Sequence, residues 1–543
     1  MNKSKFYYIN ILLLISSLIF SNQYNVNYQL KYANGLGSSR YYFENYFDIN
    51  YFFSNGLYLY SQLEFSKPPL IGEDKSTQYI GGLLFPSPII NTFYLQHSGS
   101  NYDFTFGDLN LLYGRGLSIH TYEDQSIDYD NTIFGLEYNR YVKDNLDMFF
   151  SIGKNIFKSR INPGNQYADL SIDNRVISMG ANLFYQDIGI HYLTMVYKQE
   201  FDYSDILNMM SLKSELGNYL VSRQNYIVMN KPDDEMNNIE HNIGFDFSFS
   251  NIDFYLERSV IYYNKILGER LSGYRHYSSA YFNLYDTDFF IEYKNYNVPF
   301  LYSVFSNPPI GFRESSSILS SRNLHSIDFS NEYGYQIEVN KKLDDSMNFL
   351  LSYAFGIHHK DNLNDITINR REYFPFSSFL SLEKFSDYEP FKQFYCEMNG
   401  WSASEKFYYK FGYEKYYEIT QLKSIYATTT PMQFAYNFKR GNSLTFYLEF
   451  QDKKDMVLSS NKKYTYFSPS YNHFGKWILT LFFDHEKSKK TWMGMDYTIN
   501  LNNSSRISMF YGSQKGGLVC ANGSCVQQPD FEKGIKVTFL KAL

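Results

Sequence analysis

The chain has 543 residues, of which 44% are hydrophobic and 20% aromatic, with 55 Tyr and 49 Phe. Its mean hydropathy of −0.40 excludes a bundle of membrane helices. Its 50 basic and 56 acidic residues, a net charge of −6 spread along the sequence, argue against the basic patch of a nucleic-acid binder.

The chain begins MNKSKFYYINILLLISSLIFSNQ. Lys3 and Lys5 give a positive start, residues 9–20 form an apolar run, and small residues follow with a cut expected near Ser21. This is the pattern of a cleaved secretory signal peptide. The apolar run is shorter than the ~20 residues a spanning helix needs. No cysteine lies near the cut, so lipoprotein processing is not expected. Residues 1–21 are read as the signal peptide and residues 22–543 as one exported domain, since no linker, low-complexity tract or composition shift divides them.

After the cut, Tyr24, Val26, Tyr28, Leu30 and Tyr32 alternate with Asn25, Asn27, Gln29 and Lys31. That period of two marks a strand with unlike faces. A tight SNG join follows at residues 54–56. IGGLLFPSPII is the longest later apolar run, and Pro86 and Pro88 interrupt it. Residues 113–131 read YGRGLSIHTYEDQSIDYDN, charged and flanked by glycine. Tight joins recur at KDN (143–145), QD (186–187), DT (286–287), DDS (344–346), GNS (441–443), GK (475–476) and NNS (502–504). Long irregular segments lie between them at 201–238, 298–331, 360–390 and 514–530. Alternation is sustained near the end: Leu444, Phe446, Leu448 and Phe450; Trp477, Leu479, Leu481 and Phe483; Met493, Met495, Tyr497, Ile499 and Leu501; then Ile507, Met509 and Tyr511.

Runs of this length suit the ~9–11 residues of a tilted membrane strand. Short turns on one side and long loops on the other are the layout of an outer-membrane barrel, with tight turns in the periplasm and long loops outside. Closure removes the sheet edges that hydrocarbon penalises, and the aromatic excess suits the two membrane interfaces. The expected fold is all-β: a single large transmembrane antiparallel up-and-down barrel of about 26 strands (24–28) in the outer membrane of a Gram-negative bacterium. A large soluble β-protein would also alternate, but does not explain the asymmetry of the loops. Placing every tight turn after an even-numbered strand requires that residues 116–122 count as a strand.

Two stretches carry a resemblance. FGDLNLLYGRGLSIHTYEDQSIDYDNTIFGLEY, through Gly107, Asp108, Gly114, Arg115, Gly116, Leu117, Tyr122, Glu123, Asp124, Asp130 and Gly135, resembles the N-terminal signature of a family of uncharacterised Gram-negative outer-membrane β-barrel proteins. The tail GSQKGGLVCANGSCVQQPDFEKGIKVTF, with Cys520 and Cys525, resembles that family's final hairpin. The resemblance implies a large outer-membrane barrel and no substrate.

Two arrangements of the charged stretch compete. In one, residues 116–122 form a wall strand with Leu117, Ile119 and Thr121 outward and Ser118, His120 and Tyr122 inward. Arg115 then sits at the periplasmic rim and Glu123 and Asp124 near the surface, ~26 Å apart. In the other, the glycines let the stretch fold into the lumen as a constriction, where Arg115 meets acidic groups. Strand parity favours the first. In both, the charges avoid hydrocarbon, where they are costly.

The pore or rim candidates are Asp108, Arg115, His120, Glu123, Asp124, Asp130, Glu449 and Asp484. Thr445, Glu449, Gln451, Thr480 and Asp484 are expected to face the lumen. Cys520 and Cys525 flank ANGS, a turn-forming sequence that suits a loop-closing bridge in an oxidising compartment, provided the Cα atoms come close enough. Cys396 is read as a small apolar side chain on a strand. Gly534, Val537 and Phe539 resemble the terminal signal recognised by barrel-insertion machinery, although the chain ends Leu540-Lys541-Ala542-Leu543 without the usual final aromatic.

His276 and Ser278 have the spacing of a nucleophile and base on one strand face, as in outer-membrane phospholipases. They share that face with Ala280, Phe282 and Leu284 and would point to lipid. His358 and His359, near Asp361 and Asp365, read as a solvated loop margin. No catalytic residues, metal site or cofactor are expected. The expected function is a channel or transporter for polar solutes. The alternatives are a non-enzymatic surface scaffold or secretion accessory with a plugged barrel, and a lipase-type enzyme. Expected partners are outer-membrane lipid, the insertion machinery and unidentified surface or periplasmic proteins, with no nucleic acid.

Overall fold

In hydrocarbon, an unpaired backbone N–H or C=O costs several kcal/mol, so a spanning sheet must close. The computed structural model of the chain closes. It describes residues 23–35, 41–54, 56–67, 90–124, 129–143, 145–159, 170–201, 235–266, 269–298, 304–313, 317–323, 325, 329, 331–358, 391–419, 424–438, 441–455, 460–487, 490–521, 524–528 and 530–542. Twenty-four strands form one antiparallel sheet in which each pairs with its neighbours in the sequence. The first strand, Gln23–Gly35, pairs with the last, Phe531–Ala542, from Asn27↔Ala542 to Gly35↔Gly534, sealing the cylinder. The signal-peptide reading lies outside the described residues, as do His359, Asp361 and Asp365.

The tight turns gather at one rim. Tyr285 and Asp286, with φ of 48° and 56°, form a two-residue turn between Glu269–Leu284 and Thr287–Asn297. Positive φ at both central positions matches the right-handed twist of the flanking strands. Tight turns follow every even-numbered barrel strand, including a join at residues 99–101 between Ile90–Ser98 and Tyr102–Leu109. Parity therefore holds without residues 116–122. Tyr102–Leu109 pairs directly with Ile133–Lys143 through Leu109↔Ile133, and the residues between them are not in the wall. This corrects the strand reading of residues 116–122 and sets the count at 24, within the expected range.

The two faces follow the alternation. Glu449 is fully buried in the lumen while its neighbour Phe450 is 45% exposed on the outside. Leu481, Phe483, Met493, Met495 and Met509 are likewise exposed, and Asp484, Trp492, Thr498 and Phe510 lie inward. Cys396 takes the outward parity of Met398. Val537 and Phe539 share the outward face of the closing strand with Ile535, and Gly534 packs against Gly35 with no room for a Cβ. His276 and Ser278 lie opposite Arg258 and Leu256, on the outward face.

Beyond the wall, Gly517–Ala521 and Ser524–Gln528 pair as a hairpin that sets Cys520 directly across from Cys525. Directly opposed residues of an antiparallel pair are ~4.5–5.5 Å apart at Cα, within the range a bridge spans. Thiol titration of the denatured, unreduced protein is expected to find one thiol per chain, from Cys396, and three after reduction. Three before reduction would rule out the bridge.

Candidate functional site: two segments inside the lumen

The chain leaves the wall after Leu109 and rejoins it at Ile133, and residues 110–124 and 129–132 fold inward between these points. Leu111, Leu117 and Ile119 are buried there. Two side chains replace the missing sheet pairing. The Thr121 hydroxyl accepts from Leu111 N (2.8 Å) and donates to Leu109 O (2.9 Å). Asn131 accepts from Tyr122 N (2.7 Å) and donates to His120 O (3.0 Å) and Val304 O (2.9 Å).

The GRG sequence has a local purpose. Gly114 and Gly116 have φ of +60° and +79°, and a Cβ on Gly114 would fall 2.6 Å from the Glu257 carboxylate. That backbone shape presents Arg115 N to Glu257 Oε2 at 2.7 Å. Tyr255 and Asn242 also donate to Glu257, at 2.6 and 2.7 Å. The guanidinium of Arg115 lies exposed, 4.9 Å over the Tyr255 ring. The buried Arg275 guanidinium donates to Leu117 O (2.9 Å) and faces Glu240 at 3.5 Å.

Residues 298–331 are expected as an exterior loop, but residues 304–313, 317–323 and 325 lie in the lumen against the first segment. His120 N donates to Phe305 O (2.6 Å) and Asn307 N to Gly116 O (3.0 Å). Tyr296 and Lys294, on the wall, donate to Pro309 O and Ile310 O at 2.7 and 2.6 Å. Arg313 pairs with Glu338 at 3.1 Å. A single helical turn, Ile318–Ser321, begins at Ser317. Its start is held by Glu449, which accepts from Ser317 Oγ (2.8 Å), Ile318 N (2.7 Å) and Leu319 N (2.7 Å). Gln451 donates to Leu319 O at 3.0 Å, and Arg322 pairs with Asp484. At the end of the segment His325 sits between Glu332 (2.9 Å) and Glu418 (3.1 Å), its ring stacked on Phe391 at 4.5 Å. Burial alone would lower the His325 pKa, but the two carboxylates outweigh it and raise it to about 9.

The structure thus selects the in-folded arrangement and corrects the other. Arg115 is not at a rim and meets a carboxylate through its backbone, while Glu123 and Asp124 are not at an outer surface. Glu123 accepts from Asn91 Nδ2 (2.8 Å) and Thr92 Oγ1 (2.7 Å) of the wall. Asp124 and Glu123 pair through their backbones with Tyr129 and Asp130 in a small hairpin. Asp130 accepts from Thr132 N and Oγ1. Asp108 is a wall residue whose carboxylate accepts from Phe93 N at 2.6 Å. Glu449 and Asp484 face the lumen as expected, but each holds the second segment. Glu257, Arg275, Lys294, Glu332, Glu418, Arg322 and His325 were not singled out. For the wall residues among them the signal was available, since each is a charge at an inward position of an alternating strand.

The lumen is not uniformly wet. Leu109, Leu111, Ile119, Ile133, Phe149, Phe157, Val304 and Phe305 belong to one apolar cluster that joins both segments to one arc of the wall.

The chain matches a family of unknown function (DUF6029) over residues 15–543 and belongs to that family. No curated sequence matches it. Similar solved structures include the P pilus usher (PapC) translocation pore, at TM-score 0.42 and 9% identity over 96% of this chain and 99% of that one. Others are the siderophore receptor PirA from Pseudomonas aeruginosa (0.46, 5%, 96% and 80%) and the copper transporter OprC (0.42, 8%, 96% and 80%).

Two measurements test the hold on residues 304–325. Hydrogen bonds to a charged group are worth about 1.5–3 kcal/mol each. Glu449→Gln is therefore expected to speed hydrogen exchange of the Ile318 and Leu319 amides at least tenfold, while strand amides stay unchanged. Because the folded pKa of His325 lies above its ordinary value of 6.5, its contribution is fully present below about pH 6.5 and is lost as pH rises through about 9. The shift corresponds to roughly 3 kcal/mol. Tryptic cleavage after Arg322, normalised to an unstructured peptide, should rise steeply above pH 9. His325→Gln should raise it at pH 7 and flatten the profile.

Proposed function

We propose that this family member is an outer-membrane channel or transporter for polar solutes, exported through a cleaved signal peptide, with the lumen as its pathway and residues 304–325 as the closed gate. The observation that carries this reading is how the second segment is held. Its own helical turn is one turn long, and its hold on the wall combines separate polar side chains, Glu449, Gln451, Asp484, Glu332, Glu418, Lys294 and Tyr296, with one small apolar patch in which Ile310 and Phe312 pack against Ala354, Phe391, Tyr416 and Ile425. Water or a polar solute can replace each polar contact at modest net cost. Around Glu449 and Asp484 the wall the segment covers would then be a polar surface, continuous with Thr445, Ser470, Thr480, Asp496, Thr498 and Ser508. Nothing in the reading calls on an enzymatic step or a cofactor.

A second reading, a non-enzymatic surface scaffold or secretion accessory with a permanently filled barrel, is favoured by the apolar cluster around Leu111, Ile119 and Phe305. An apolar core is costly to open, since each large side chain contributes about 1.5–3 kcal/mol on burial. The second segment, however, enters this cluster only through Val304 and Phe305, and its other apolar anchor is the smaller patch around Ile310 and Phe312.

Single-channel recording separates the two. The wild-type protein in a planar bilayer should show brief openings, and Glu449→Gln with Asp484→Asn should raise the open probability at least tenfold. In the half of the lumen nearer the tight turns, Asp48, Glu137, Asp246, Glu292, Glu338 and Asp496 take inward positions against Lys410 and Arg506. The reversal potential in a salt gradient should therefore show cation selectivity. Silence of both proteins, each shown folded by a heat-modifiable band, would overturn the channel reading in favour of the scaffold.

A further inference from the structure

The barrel wall is notched in one sector. Ile90–Ser98 pairs with Tyr102–Leu109 only from Ser98↔Asp103 to Tyr94↔Gly107. At ~3.3 Å per residue and a tilt near 40°, Tyr94 lies roughly 10 Å above Ser98, against an apolar band of about 25 Å. Sheet pairing along this seam therefore ends within the bilayer. Gly107, with φ of +122° and no space for a Cβ beside Phe93 O, turns the chain away at that level. On its other side Tyr102–Leu109 stays paired up to Leu109↔Ile133, where the chain enters the lumen.

Side chains seal the notch where sheet pairing stops. Among the described residues, no strand pairs with residues 90–93 on this side. Asp108 takes the Phe93 N–H, and Glu123 takes the side chains of Asn91 and Thr92. On the opposite flank Asn155 Nδ2 donates to Thr132 O at 2.5 Å. Except for Asn155 and the wall donors, the sealing groups belong to residues 110–132 or stand just before them.

A second, separate observation concerns what lies behind the notch. Its floor, Leu109 and Ile133, belongs to the apolar cluster, which continues inward through Leu111, Ile119, Phe149 and Phe305. The apolar arc of the lumen and the break in the wall thus occupy the same sector. A polar solute gains nothing on either side of such a break, whereas an acyl chain is at home on both.

We propose that the notch is a lateral portal through which a single-chain amphiphile passes between the lumen and the bilayer when residues 110–120 swing inward and Glu123 stays on Asn91 and Thr92. The sealing carboxylates set the head group. Glu123, Asp108 and the nearby Asp130 repel an anionic head and accept hydrogen bonds from a cationic one. The ligand is therefore an alkylammonium-type amphiphile, not a fatty acid. The proposal does not rest on the polar-solute pathway. It needs the first segment to move, whereas channel opening needs the second.

The test uses the full-length protein in lipid nanodiscs with two photoreactive probes of equal chain length, one with an ammonium and one with a carboxylate head. Mass spectrometry maps the labelled residues. The ammonium probe should label Leu109, Leu111 or Ile133 at least tenfold more than the carboxylate probe. Glu123→Gln should bring that ratio severalfold closer to one, and Arg175→Gln, on the outer surface, should leave it unchanged. Labelling confined to outward residues such as Phe106, or equal labelling of the inner residues by both probes in the wild type, would overturn the portal. Variants are compared only as folded, heat-modifiable bands, and Glu123→Asp, which keeps the charge, should keep the preference. Conductance of the same preparation reports on the polar pathway separately.

Discussion

The requirement that governs this molecule is that no backbone hydrogen-bonding group be left unpaired where water is absent. It forces the sheet to close, and the pairing of the first strand with the last follows from it. It also explains the less regular features. Where chain enters the lumen, the backbone has no neighbouring strand, and side chains take over: Thr121 and Asn131 for the first segment, Glu449 and Gln451 for the second. Even the carboxylate of Asp108 stands in for a strand carbonyl. Polar residues inside this barrel are structural before they are anything else.

That requirement ranks the two in-folded segments. The first is fastened by burial as well as hydrogen bonds, with Leu117 and Ile119 fully inaccessible. The second is fastened by charge at Ser317, Arg322 and His325, with the smaller apolar patch of Ile310 and Phe312 before them. Glu449 alone accepts three hydrogen bonds from the start of one helical turn. Buried ion pairs are worth little net against well-packed apolar groups, because desolvation cancels much of their attraction. They are nevertheless sharply destabilised when one partner is lost or titrated. A segment held in this way stays put under constant conditions and releases when the charges change. That is the physical reason to look for a charge-responsive gate in the second segment and for a filling in the first that gives way only to an apolar ligand able to replace its buried contacts.

Much of the wall was legible from sequence because period-two alternation is a direct imprint of a two-sided sheet. Glu449 and Asp484 fell on inward positions by parity alone, and the tight turns marked one rim. The lumen contents were legible only in part. YGRGLSIHTYED offered a glycine-flanked, charged stretch, but Leu117, Ile119 and Thr121 alternate with Ser118 and His120 as a strand would. In the structure Leu117, Ser118, Ile119 and Thr121 leave solvent and His120 is half-buried, since the second segment covers what the wall does not. Only tertiary packing distinguishes that case from a strand. Residues 298–331 were harder still: their length looked like an outside loop, and the acidic partners that draw them inward are scattered from Glu332 to Asp484.

The same scattering bears on how the lumen evolved its contents. An inward segment can be kept only if distant strands supply matching groups, as Glu257 does for Arg115 N and Glu418 does for His325. In an empty barrel Glu332 would keep its ion pair with Lys294 (2.7 Å), whereas Glu418 and Glu414, two positions apart on one strand face, would be left as neighbouring like charges. Removing the second segment therefore exposes like charges to mutual repulsion as well as leaving a hole, and the repulsion favours either the return of the segment or the entry of a cation. The closed and the occupied states satisfy the same wall, which is what a gate at this position requires.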